Sequence, residues 1–218
     1  MRSAWWTSAA ASAICALLLF GTSAHADGPS RGPYMWSGFY VGIDGGAGWG
    51  QHDRDTGAFQ NSYSSSGGLI GGHIGYDMPV SHNLFFGVVG TGAWANIKGD
   101  DGGTGGTVDE TRINSLWTLR ARLGLSISNT WLVYGTAGWG WADVDHHNLG
   151  GAPATTSHTL DGFVVGGGWE YVMSKQWSLK IEYLHYDLGS YAAAPAGLAP
   201  FQVDNKLDTV TAGLSYRF

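Results

Sequence analysis

Three histidines, His146, His147 and His158, share one polar stretch with Asp143 and Asp145. Neutral imidazoles beside carboxylates are a donor set that suits a transition metal or the iron of haem. The spacing matches no closed zinc pattern, and the only cysteine, Cys15, is far away near the N-terminus. A solvated polar loop accounts for the same residues, because a metal site needs defined geometry. The three are therefore loop candidates for haem or metal binding; no metal centre and no resident cofactor is assigned.

A second set of chemistry-bearing residues is Asp44, Arg120, Arg122, Glu170, Lys180, Glu182 and Arg217. Each falls on the polar side of an alternating segment. Opposite charges enclosed together either pair off, since an unpaired buried charge is expensive, or line a narrow conduction path. The run Gly45-Gly46-Ala47-Gly48-Trp49-Gly50 fails as a phosphate loop, having neither a following lysine nor a following helix. Asp100-Asp101 and Asp109-Glu110 can bridge divalent cations to lipopolysaccharide phosphates or simply keep a Gly-rich loop solvated. No Gly-x-Ser-x-Gly elbow and no His-Glu-x-x-His motif occurs,. No Ser and His stand at strand spacing with an acidic partner, so no catalytic residue is assigned and the chain reads as a non-enzyme.

The elements that must position these residues are strands. Phe39, Val41, Ile43, Ala47 and Trp49 alternate with Tyr40, Asp44 and glycines. Trp117, Leu119, Ala121, Leu123 and Leu125 alternate with Thr118, Arg120, Arg122 and Gly124, and the C-terminal run alternates most cleanly. This period of two marks strands with one apolar and one polar face. Eight such segments are expected, at 36–50, 68–77, 84–95, 113–127, 130–143, 160–172, 178–187 and 209–218. Long connections (51–67, 96–112, 144–159, 188–206) alternate with short ones (78–83, 128–129, 173–176). That sorting is the mark of a membrane barrel with long extracellular loops and short periplasmic turns. Aromatic residues reinforce it. Trp36, Tyr76, Phe85, Trp131, Tyr171, Trp177 and Phe218 lie near the short turns, and Trp49, Trp94, Trp139, Trp141 and Tyr183 near the long ones. They predict two interfacial girdles. The expected fold is thus all-β: an eight-stranded antiparallel up-and-down transmembrane β-barrel, whose narrow interior is filled by side chains.

Composition agrees. Only 13 % of the 218 residues are charged, while 36 are Gly and 11 are Trp. That is too few charges for an ordinary soluble domain and too many aromatics for a disordered chain. Residues 1–26 read as a secretory signal: Arg2, an apolar stretch over 9–20 too short to span as a helix, and the small-x-small site Ala24-His25-Ala26,. Residues 27–218 then form the barrel domain. Removing Arg2 takes the eleven basic residues to ten against seventeen acidic, which argues against nucleic acid as a partner.

Two stretches also carry a resemblance. Trp36-Ser37-Gly38-Phe39-Tyr40-Val41-Gly42 resembles the first strand of the small porin-family, or opacity-type, outer-membrane proteins of alphaproteobacteria. Leu214-Ser215-Tyr216-Arg217-Phe218 resembles the C-terminal targeting signal of outer-membrane barrels, carried by Leu214, Tyr216 and Phe218. Val133–Trp139 and Lys180–Tyr186 resemble the family's fifth and seventh strands. The resemblance implies residence in the outer membrane of a Gram-negative bacterium and insertion by the barrel-assembly machinery. It implies contact with outer-membrane lipid and lipopolysaccharide, and a structural or surface-display role in envelope integrity. Some members bind haem, which keeps the loop histidines as an alternative, beside a narrow porin-like channel; the family has no catalytic residues to transfer.

Overall fold

Alternating bulky apolar and small or polar residues can satisfy hydrocarbon on one side and an enclosed interior on the other only if the sheet closes on itself. The computed structural model shows that closure, and it describes residues 35–55, 60–100, 109–148, 154–193 and 201–218. The signal reading at 1–26 lies outside the described residues. Eight strands follow one another: β1 (Gly38–Asp55), β2 (Gln60–Pro79), β3 (Leu84–Asp100), β4 (Asp109–Ser126), β5 (Trp131–Asn148), β6 (Ala154–Val172), β7 (Trp177–Ala193) and β8 (Phe201–Arg217). Each pairs antiparallel with its neighbours in sequence, and β1 pairs with β8 from Tyr40↔Arg217 upward, closing the barrel. Every backbone donor and acceptor along the ladder thereby finds a partner where water is absent.

The strands are longer than the periodicity implies. Pairing continues to Asp55↔Gln60, Asp100↔Glu110, Asn148↔Ala154 and Ala193↔Phe201. Most of what reads as long loop is therefore hairpin arm. The reason is physical: above the bilayer both faces of a strand meet water, so side chains lose their alternation while the backbone ladder persists. Periodicity sees only the part of a strand that lies in lipid.

The outward face defines that part. On β5 it runs from Trp131 through Val133, Gly135 and Ala137 to Trp139 and Trp141, then changes to exposed Asp143. Asp161 on β6, Asp187 on β7 and Asp208 on β8 mark the same change on the outward face. Trp131 to Trp141 spans about 33 Å along the strand, or about 25 Å of height at a usual tilt of about 40°. This matches the apolar band of an outer-membrane barrel. Rings pair across strands at its lower rim, with centroids 4.6 Å apart for Phe39 and Tyr76 and 4.8 Å apart for Trp131 and Tyr171.

Two expected girdle residues are not in the girdle. Trp36 and Phe85 are each only 1 % exposed and pack with Leu132 and Tyr134 inside the barrel. Phe86, not Phe85, faces outward. Adjacent residues of a strand point to opposite faces, so a Phe-Phe pair can give lipid only one ring. The other fills the bottom of the interior.

Two outcomes follow from this facing. Leu123, more than half exposed within the lipid-facing part of β4, should tolerate Arg poorly: Leu123→Arg is expected to cost about 2–4 kcal/mol in urea unfolding from lipid vesicles. Unheated protein should also migrate as a compact band on detergent gels, and identical migration before and after boiling would rule out the closed barrel.

Candidate functional site

Beneath the alternation lies a layered interior. At the short-turn end sits the apolar floor of Trp36, Phe85, Leu132 and Tyr134. At the other end Ile97, Ile113, Leu116, Val144, Val164, Leu184, Tyr186, Leu188 and Leu207 form an apolar roof. Between them lie four cations, Arg120, Arg122, Lys180 and Arg217, and four carboxylates, Asp44, Asp77, Glu170 and Glu182, all buried. All seven residues read from the sequence as enclosed charges fall in this layer; Asp77 is the eighth.

The lower part of the layer is centred on Glu170. Its Oε2 accepts from Arg122 Nη2 at 2.5 Å, its Oε1 accepts from Ser178 Oγ at 2.5 Å, and Arg217 Nη2 lies 3.7 Å away. Arg217 also donates to Asp77 Oδ2 at 3.1 Å and to the Trp36 carbonyl, tying the last strand to the entry of the first. Tyr40 and Tyr134 flank these guanidinium groups. Arg122 stands 3.9 Å from the Tyr134 ring centre and Arg217 stands 4.6 Å from that of Tyr40, within cation–π range.

In the upper part, Arg120 Nη2 donates to Glu182 Oε1 at 3.1 Å, its Nη1 lies 3.1 Å from Oε2 as an ion pair without a hydrogen bond, and its Nε donates to Thr118 Oγ1 at 3.0 Å. Lys180 bridges Asp44 at 3.1 Å and Glu182 at 3.9 Å. Tyr134 donates to Glu182 at 3.0 Å and so joins the two parts. The network therefore links β1, β2, β4, β5, β6, β7 and β8 through the centre.

The fold also makes an arrangement that linear spacing hides. His73 Nδ1 lies 2.7 Å from Asp44 Oδ2, and His73 Nε2 lies 2.9 Å from Ser215 Oγ. Donation from Nδ1 to the carboxylate and from Ser215 to Nε2 satisfies both ring nitrogens and the serine hydroxyl. The expectation concerned Ser and His at strand spacing; these three meet only across strands. The residues sit on β2, β8 and β1, so only sheet closure brings them together. Gly42 is directly opposite both His73 and Ser215, and a Cβ there would collide with the imidazole. Glycine lets the ring cross β1 to reach β8. The geometry resembles a hydrolytic triad, but Ser215 is 1 % exposed and Lys180 occupies the other Asp44 oxygen. With the hydroxyl buried, the three form a hydrogen-bonded chain joining β1, β2 and β8.

The other candidates separate from this centre. His146 and His147 lie on β5 and His158 on β6, paired as His146↔Thr156, His147↔Thr155 and Val144↔His158. They stand on hairpin arms instead of an irregular loop, and their side chains lie outside the described residues. Among the described residues no group of three metal-ligating side chains converges. Leu214 and Tyr216 lie on the outward face of β8, with Phe218 directly after it, and the Tyr216 ring lies 5.1 Å from both Trp177 and Phe218.

Comparison with known proteins gives this architecture a family. The model of the outer membrane protein beta-barrel domain matches residues 12–218. The chain belongs to that family. Proteins similar to it include the 31 kDa outer-membrane immunogenic proteins of Brucella melitensis and Brucella suis. Each is 28 % identical over 230 residues, covering 92 % of this chain and 95 % of the relative. Solved structures similar to it include Neisserial surface protein A, at 18 % identity and TM-score 0.47, over 84 % of this chain and 98 % of that one. OprG from Pseudomonas aeruginosa is 14 % identical, with TM-score 0.48, over 84 % and 96 %. The protein is an integral barrel of the Gram-negative outer membrane.

Sequence alone does not single out Asp77, and it leaves His73 as a scattered histidine on the surface or in the lumen. Asp77 precedes the turn at the end of β2, and His73 sits between glycines and apolar residues, so neither belongs to a charged alternating run. The available signal was parity with outward Ile74 and Tyr76.

Arg122→Leu should cost about 3–5 kcal/mol, because it strips Glu170 of its closest cation in a buried site. In Arg122→Leu/Glu170→Leu most of that loss should return. Vesicle unfolding of both variants measures the difference; equal stability of the single and double variants would show that the pair is not enclosed.

Proposed function

We propose that this outer-membrane barrel is a non-conducting, non-enzymatic structural protein that holds hairpin arms above the bilayer for surface display and contributes to envelope integrity. The observation that carries this reading is the filled interior. A water path along the axis would have to cross the apolar roof around Leu184, Tyr186 and Leu207, the paired ionic layer, and the floor at Trp36 and Phe85. Eight strands leave an interior that side chains fill. Each of the four cations stands within 3.1 Å of a carboxylate oxygen, although Asp44 Oδ1, Asp77 Oδ1, Arg120 Nη1 and Arg122 Nε make no hydrogen bond. The strands meanwhile run well beyond the apolar band toward Asp55, Asp100 and Asn148, which sets those arms outside the lipid.

On this reading the outward faces contact outer-membrane lipid and lipopolysaccharide, and Leu214, Tyr216 and Phe218 form the signal read by the assembly machinery. The exposure of the terminal Phe218 ring, 64 %, supports its availability to a receptor.

Purified protein in planar bilayers should give no stable single-channel openings. A steady nanosiemens conductance would overturn the filled-interior reading. Phe218→Asp should lower the amount of heat-modifiable barrel recovered from outer membranes several-fold without changing the stability of the barrel that does assemble; unchanged recovery would remove Phe218 from the targeting signal.

A further inference from the structure

The outer wall of the barrel carries an arrangement that closure and filling do not require. Among the described residues five outward tryptophans stand near the long connections, and four of them, Trp94, Trp117, Trp139 and Trp141, lie on the adjacent strands β3, β4 and β5. A girdle sets amphipathic rings at headgroup level on all sides; it gives no reason to gather them on one. Register makes Trp141 the centre of the group. It lies between Trp117 on β4 and Asp161 on β6, and along β5 between Trp139 and Asp143 on the same face. Asp143 pairs with Thr159, so Asp161 is its diagonal neighbour, roughly 7–8 Å away, and one cation placed between them reaches both.

Both carboxylates are held in orientation. Ser115 Oγ donates to Asp143 Oδ2 at 2.7 Å, and Thr159 Oγ1 donates to Asp143 Oδ1 at 3.0 Å. Trp139 Nε1 donates to Asp161 Oδ2 at 2.9 Å. These donors are neutral, so they aim the carboxylates and leave both negative charges in place. An ionised carboxylate has about four lone-pair positions, so each keeps room for a further donor. Trp117 leans toward β3, over Gly92, where a Cβ would collide with its ring. Below Trp141 the outward face continues as Leu119, Phe163 and Val165, all exposed to lipid.

Indole faces attract cations through the ring quadrupole, and quaternary ammonium groups are recognised by such rings. We propose that the outward face around Trp141 is a binding site for an amphiphile with an ammonium head. The positive group sits between the Asp143 and Asp161 carboxylates and against the Trp141 ring, and the chain follows Leu119, Phe163 and Val165 into the lipid. The charge of the site fits this occupant and repels a head that carries only phosphate. The combination is local: Asp208, on the same rim, is bonded to Tyr183 and His185 and stands away from the tryptophan group. The inference goes beyond the display reading. It concerns the outer wall, so it stands whether or not the interior conducts.

The test uses the full protein in dodecyl maltoside micelles and two probes of one chain length. Dodecyltrimethylammonium carries the positive head; dodecyldimethylamine N-oxide carries no net charge at neutral pH. Occupancy is read from the indole N–H resonances of Trp139 and Trp141. The ammonium probe is expected to reach its midpoint at about one tenth the mole fraction of the N-oxide. Asp143→Asn/Asp161→Asn removes both charges from an exposed rim and should erase that difference while the protein stays heat-modifiable. Asp208→Asn, which removes a carboxylate of the same rim, should leave it intact. Equal midpoints for the two probes on the unaltered protein overturn the proposal. An equal loss in Asp208→Asn also overturns it, because attraction to the acidic protein as a whole would then explain the binding. If the double variant fails to assemble, the two probes on the unaltered protein and on Asp208→Asn decide.

Discussion

Hydrocarbon offers no hydrogen bonds, so a chain that crosses it as strands must pair every backbone group with another strand. The β1–β8 ladder meets that demand by joining the first strand to the last. Once the ring closes, each residue in the band has only two environments, lipid or interior, and the pleat alternates between them. The apolar outward faces, the rings at the rims and the buried charges all follow from that constraint.

Closure brings a problem of its own. Polar residues turned away from lipid are packed into a narrow interior, where a lone charge is costly. The structure answers with a balanced set of four cations and four carboxylates, sealed between apolar layers. Glycines at crowded positions make the long side chains fit. Gly75 lies beneath the Tyr40 phenol and Gly42 beneath the His73 imidazole. The Asp44–His73–Ser215 arrangement is an instance of the same principle. There buried polar groups from three strands bond to one another, with the serine enclosed.

Where the bilayer ends, the constraint relaxes. Strands continue as paired arms with no preference for apolar side chains. On the proposed reading, the filled interior disfavours conduction and leaves the hairpin arms for display.

How much of this was legible beforehand depends on whether a feature is set by local alternation or by contact between strands. The residues themselves determined the strand number, the lipid face, the inward placement of Arg120, Arg122, Lys180 and Glu182, and the outer-membrane residence, because a period of two in contact with lipid is written directly into side-chain polarity. The same signal fades outside the bilayer, which is why the arms of β1 to β8 read as loops. Parity, when overlooked for a single residue, misplaces it, as it did Trp36 and Phe85. Tertiary structure alone decided which charges meet, that Asp77 and His73 join them, and that Ser215 reaches His73 across Gly42. Those outcomes depend on register and closure, which join residues far apart in the chain and leave no mark in any one segment.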